Sequence, residues 1–66
     1  MKLPKLRPVR ELKLLNQDEL ADKAGVSRGT IQRLEAGYDA RLPTVRKLAA
    51  ALGVEPSELV EGASGN

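Results

Sequence analysis

Apolar and polar positions alternate most clearly between Gln17 and Ala36, in the stretch QDELADKAGVSRGTIQRLEA. Leu20, Ala21 and Ala24 stand at i, i+1 and i+4, a spacing that gathers side chains on one face of a helix. Ser27, Ile31 and Leu34 repeat that kind of face at i, i+4 and i+7. Between the two faces lies Ala24-Gly25-Val26, which suits a sharp turn. Gly25 is free to take the left-handed conformation that ends a helix. The small Ala21 and Ala24 allow the second helix to cross close over the first.

Local signals place the helix ends. Asn16 reads as an N-cap, and Asn16-x-x-Glu19 has capping-box spacing. Asp18 and Glu19 suit the positive end of the helix dipole. The pattern predicts helices over residues 17–24 and 28–36, the second capped by Ser27 and ended by Gly37. A proline is tolerated only in a helix's first turn, so Pro8 starts the first helix between Lys5 and Pro8. That helix should run to about Leu14 and bury Leu6, Val9 and Leu12, with Leu15 beyond its end. Residues 1–5 read as a flexible arm and residues 38–41 as a connecting loop. A fourth helix should begin near Pro43 and close at Gly53, burying Val45, Leu48, Ala49 and Leu52. Glu55-Pro56-Ser57-Glu58-Leu59 reads as a short last helix with Pro56 in its first position. Residues 62–66 read as a disordered tail. The expected fold is all-α, a compact bundle of four or five helices forming a single domain over residues 1–66. Its central pair, joined by a glycine turn, has the pattern of a helix-turn-helix.

The sequence resembles the phage-repressor and Cro-like helix-turn-helix family (the XRE-like family). The resemblance is carried by Gln17, Leu20, Ala21, Ala24, Gly25, Val26, Ile31, Leu34 and Glu35, and continues through LPTVRKLAAALGVEP. It covers residues 6–60 and implies a lambda-repressor-like DNA-binding domain. Where the chain departs from the family, it has Pro8 within a shorter first helix and Leu14 in place of a common glycine. Glu55 stands where the family prefers Ser or Thr as a cap.

Composition narrows the picture further. Tyr38 is the only aromatic residue, so the core must be built from Leu, Val, Ile and Ala. A chain of 66 residues buries a small core and should have modest stability. Cysteine is absent, which excludes disulfides and thiolate metal sites and is compatible with the cytoplasm. No apolar run approaches the ~18 residues of a membrane helix. The N-terminus is broken by Pro4 and Pro8 and lacks the apolar segment of a signal peptide. Net charge is only +2, but residues 1–15 carry five bases against one acid. Residues 53–66 carry Glu55, Glu58 and Glu61 and no base. Such asymmetry suits one face turned toward phosphates. The opening Met1 and polar ending suggest a complete chain rather than part of a longer repressor.

The candidate chemistry follows from the helix over residues 28–36. With Ile31 and Leu34 inward, Gly29, Gln32 and Arg33 point outward. Arg28 stands at the N-terminal end, which this motif pushes deepest into the major groove. Arginine can donate two hydrogen bonds to guanine O6 and N7, and glutamine can pair with adenine N6 and N7. Arg28, Gln32 and Arg33 are therefore the base-reading candidates, against the plainer reading of ordinary exposed helix residues. Gly29 either lets the backbone approach the duplex or is simply a tolerated small residue. The resemblance implies that Gln17 meets the DNA backbone. Helix N-termini there and near Ser27 offer anion sites, with Tyr38, Arg41 and Lys13 as further backbone candidates. Arg10 and Glu35 match the family's buried arginine–glutamate pair, a structural role.

The expected function is that of a sequence-specific double-stranded DNA-binding transcriptional regulator, most simply a repressor. The alternative is an antitoxin, or another protein-interaction module on the same fold. With no His and no Cys, the chain lacks an ordinary general base and a thiol nucleophile, so we read it as a non-enzyme without cofactor or metal. Related repressors pair through the C-terminal helix. Here that surface would comprise Val54, Pro56, Leu59 and Val60, giving a monomer or weak homodimer that pairs on DNA; the equal alternative is that Leu59 closes the domain's own core.

Overall fold

Short helices need partners for the N–H and C=O groups left over at their ends, and at most of its helix ends this chain supplies them locally. The computed structural model describes residues 1–60, which form α1 (Leu6–Leu12), α2 (Gln17–Ala24), α3 (Arg28–Glu35), α4 (Leu42–Leu52) and α5 (Ser57–Val60). At α2 the Asn16 side chain accepts from the Glu19 N–H at 2.7 Å, and the Asn16 N–H donates to Glu19 Oε1 at 2.9 Å. Ser27 Oγ accepts from the Thr30 N–H at 3.1 Å at the start of α3. Before α5 the Glu55 N–H donates to Glu58 Oε2 at 2.9 Å. This is one half of a capping box, made without the usual Ser or Thr.

The C-terminal ends share one device. After each of the first four helices one residue takes a positive φ: Leu14, Gly25, Gly37 and Gly53. The following residue's N–H then reaches back five positions, as Leu15 to Arg10, Val26 to Ala21, Tyr38 to Arg33 and Val54 to Ala49. This is the 6→1 bond of a Schellman closure, which normally uses glycine. Leu14 makes the same turn at φ 60°, with its side chain 88% exposed. A left-handed leucine costs about 1–2 kcal/mol, and here it gains almost no packing in return.

Leu20, Ala21 and Ala24 of α2 lie in the core, where α2 packs on both α3 and α4. Ile31 and Leu34 of α3, with Val45, Leu48, Ala49 and Leu52 of α4, complete its centre. Ser27 is exposed and serves as a cap rather than as part of that face.

The ends of the chain depart from expectation. Residues 1–5 are docked rather than loose. Leu3 is buried, the Lys5 N–H donates to the Leu59 carbonyl at 3.0 Å, and the Met1 carbonyl accepts from the Ala40 N–H at 2.6 Å. Leu12, expected inside, is 79% exposed. It lies about 120° round the axis from Leu6, and the inward position one turn after Leu6 belongs to Arg10. The first helix stops at Leu12, two residues before Leu14, because the chain turns there. The disordered tail expected at residues 62–66 lies outside the described residues. Among the described residues, no helix is long and apolar enough to cross a membrane.

The Leu14 turn is testable. Leu14→Gly should raise stability by about 0.5–1 kcal/mol, the relieved strain less the freedom that glycine gives the unfolded chain. Thermal unfolding should show a midpoint a few degrees higher, whereas Leu14→Val should lower it.

Candidate nucleic-acid interface

The site is the outer face of α3 together with what holds that helix in place. Its anchor is Glu35, at the C-terminal end of α3. Arg10 of α1 donates to both its oxygens, Nε to Oε2 at 2.6 Å and Nη2 to Oε1 at 3.1 Å. Gln17, the first residue of α2, donates from Nε2 to Oε1 at 3.0 Å. A carboxylate can only accept, so the Gln17 amide must present its NH₂ to Glu35. Arg10 also donates from Nη1 to the Leu15 carbonyl at 2.9 Å. One carboxylate thus ties α1, α2 and α3 together.

The protonation states follow. Burial works to raise the Glu35 carboxyl, but the hydrogen bonds from Arg10 and Gln17 and the Arg10 charge outweigh it, holding the pKa below its ordinary value. The Arg10 guanidinium is raised, chiefly by its hydrogen bond to Glu35. Both groups are charged at neutral pH.

With α3 fixed, Arg28, Gln32 and Arg33 are exposed. Arg28 forms an ion pair across the turn with Asp18 of α2, Nε to Oδ1 at 3.5 Å. The Arg33 guanidinium folds back along the helix. Its Nη1 would lie 3.7 Å from a Cβ on Gly29, and Ser27 Oγ 3.9 Å from the same point. Those are ordinary contacts, so the fold does not require glycine at position 29. Together, Ser27, Arg28, Gly29 and Arg33 concentrate donors at the N-terminal half of α3.

A second cluster adjoins it. Arg33, Tyr38 and Arg41 border a cavity of about 240 Å³ with Thr30, Asp39 and Thr44. Lys13 lies elsewhere, beside Lys23 and the C-terminal end of α4, in a cavity that no α3 residue borders. The residue that sequence reasoning missed is Asp18. Its place in the first turn of α2 suggested only a dipole partner, and nothing local to α2 reveals Arg28 opposite.

The C-terminal surface keeps only part of the expected pairing face. Leu59 is fully buried and cannot meet a second chain, because α5 packs against α1 and is tied to the N-terminal segment by the Lys5 N–H bond to the Leu59 carbonyl. Pro56 and Val60 border an open apolar groove of about 470 Å³ with Met1, Leu42, Val45 and Ser57. Val54 packs against the core and does not border this groove.

An all-helical domain that presents α3 across a glycine turn from α2 is a helix-turn-helix domain. The helix-turn-helix family model matches residues 6–59, and the chain belongs to this family, of the phage-repressor and Cro type. It is 38% identical over 58 residues to the helix-turn-helix transcriptional regulator PrtR of Pseudomonas aeruginosa, covering 88% of this chain and 23% of that one. It is 40% identical over 63 residues to the cryptic phage CTXphi transcriptional repressor RstR of Vibrio cholerae, covering 94% of this chain and 57% of that one. The chain therefore spans about a quarter and just over half of those two relatives. Among solved structures it is similar to the restriction-modification controller protein C.AhdI from Aeromonas hydrophila. That match has a TM-score of 0.81 and 38% identity, over 85% of this chain and 86% of that one.

Removing the anchor should be costly. Glu35→Ala leaves Arg10 buried without its partner and should lower stability by about 3 kcal/mol or more, read by denaturant or thermal unfolding. The depressed Glu35 pKa also gives a sign. Its contribution is complete above the ordinary value of 4.5 and is lost as pH falls through the folded value. Wild-type stability should therefore fall on acidification below that range, and Glu35→Gln, already weaker at neutral pH, should show a shallower fall.

Proposed function

We propose that the protein is a transcriptional regulator, acting as a repressor, that binds double-stranded DNA by placing α3 in the major groove. The observation that carries this reading is the exposed row of Arg28, Gln32 and Arg33 on a helix anchored through Glu35. These three side chains are the base readers. The first turn of α3, with Ser27 and Gly29, lies against the duplex. Tyr38 and Arg41 meet the phosphates with their side chains and Gln17, whose side chain is held by Glu35, with its backbone N–H at the start of α2; such contacts position the domain without specifying sequence. Lys13 becomes a contact only if the duplex reaches the face it shares with Lys23. The protein works in the cytoplasm and uses no catalytic chemistry.

One recognition helix reads only a few base pairs, so a unique site calls for two. We assign the pairing surface to the groove bordered by Met1, Leu42, Pro56 and Val60, its occupant being a second copy of the chain. The glutamates at 55 and 58 beside it keep that pairing weak in solution.

Selection of bound sites from a random duplex library tests this reading. The recovered site should have two-fold symmetry, with half-site centres about 34 Å apart. Sedimentation should show a monomer or weak dimer free and two chains per duplex when bound. A strict 1:1 complex on an asymmetric site would overturn the pairing. No sequence preference at all would favour a protein-interaction role such as an antitoxin. Arg28→Ala and Arg33→Ala should each relax preference at their own base pair by about 1–3 kcal/mol without changing the melting temperature. A variant that kept the wild-type preference would remove that residue from the set of readers.

A further inference from the structure

We infer that Asp18 is a specificity-determining residue that acts through Arg28, holding the guanidinium by its Nε side and leaving the terminal fork free for a guanine edge. The inference rests on the DNA-reading role proposed above. Three polar residues open α2, and each has a different partner. Gln17 donates to Glu35, and Glu19 closes the capping box with Asn16. Among the described residues, the Asp18 carboxylate accepts no hydrogen bond from its own helix. Its partner is Arg28 on α3, Nε to Oδ1 at 3.5 Å. The two residues are ten positions apart on different helices. Their meeting is set by the crossing of α2 over α3, which the Gly25 turn and the small Ala21 and Ala24 fix.

The chemistry gives the pair a purpose. A lone carboxylate at the DNA-facing end of α2 would repel phosphates, and a lone arginine can discharge its attraction on any phosphate it meets. Paired, the two charges cancel much of that sequence-independent pull. What remains of Arg28 is geometric, because Nη1 and Nη2 are the donors that match guanine O6 and N7. Selectivity then comes partly from weakening the wrong contacts rather than strengthening the right one. Both side chains are more than half exposed. The pair therefore adds little to folding and is free to act at the interface.

The test uses the full chain as wild type, Asp18→Asn, Asp18→Glu, Arg28→Ala and the Asp18→Asn/Arg28→Ala double variant. The probes are the best duplex from the random library, its single base-pair variants and a shuffled duplex, titrated by fluorescence anisotropy. Asp18→Asn should bind the shuffled duplex more tightly. It should also lose about two- to fivefold of the discrimination at one base pair, the size an exposed ion pair carries. That base pair should be the one relaxed by Arg28→Ala. In the Arg28→Ala background the Asp18 change should have no further effect on discrimination. Asp18→Glu, which keeps the charge, should retain most of it. Unchanged discrimination in Asp18→Asn, or an equal loss with and without Arg28, would overturn the inference while leaving DNA reading intact. A wild type with no preferred duplex would instead overturn the DNA-reading proposal and this inference with it.

Discussion

The seating of α3 against both α1 and α2 turns on the carboxylate of Glu35. It accepts from Arg10 on α1 and from Gln17 on α2, so the two helices that flank α3 are both tied to one end of it. Taking an arginine and a glutamate out of water costs several kcal/mol per ion, and a leucine pair could fill the same space. What the ionic version adds is geometry. The guanidinium fork meets the carboxylate along two parallel N–H···O bonds, a fit that a hydrophobic contact lacks. Together with the burial of Ile31 and Leu34, these bonds limit how α3 can rotate or tilt against α1 and α2.

The outer face follows from that anchoring. Arg28 is restrained by Asp18, and Arg33 lies back over Gly29. The restraint on Arg28 is weak, since exposed ion pairs contribute about 0–1 kcal/mol. It nonetheless reduces the number of rotamers that a long side chain must give up on binding. The proposed interface thus combines a rigid inner side, made by Glu35, with a lightly guided outer side that can still adjust to a duplex.

The core is built without an aromatic side chain, from Leu, Ile, Val and Ala. A small domain of this kind gains from every buried leucine. The N-terminal segment contributes Leu3 and α5 contributes Leu59, and a backbone bond from the Lys5 N–H to the Leu59 carbonyl joins the two segments. The surface left over, around Pro56 and Val60, is therefore a shallow groove rather than a broad apolar face.

The sequence by itself determined the central helices and their caps. The bounds of α2, the Asn16–Glu19 box, the Ser27 cap, the turns at Gly25, Gly37 and Gly53, and the α4 core positions are all readable from spacing. They rest on bonds and side-chain faces that span a few residues, and a 3.6-residue repeat writes such relations directly into the chain. The pairing of Arg10 with Glu35 was legible only through family resemblance, since no spacing rule links residues 25 positions apart. Tertiary structure alone decided the burial of Leu3, the choice of core over surface for Leu59, the exposure of Leu12, the left-handed turn at Leu14, the hold of Gln17 on Glu35 and the meeting of Asp18 with Arg28. Most of these depend on which surfaces the folded helices bring together. That is a property of how the segments cross, and local periodicity carries no record of it.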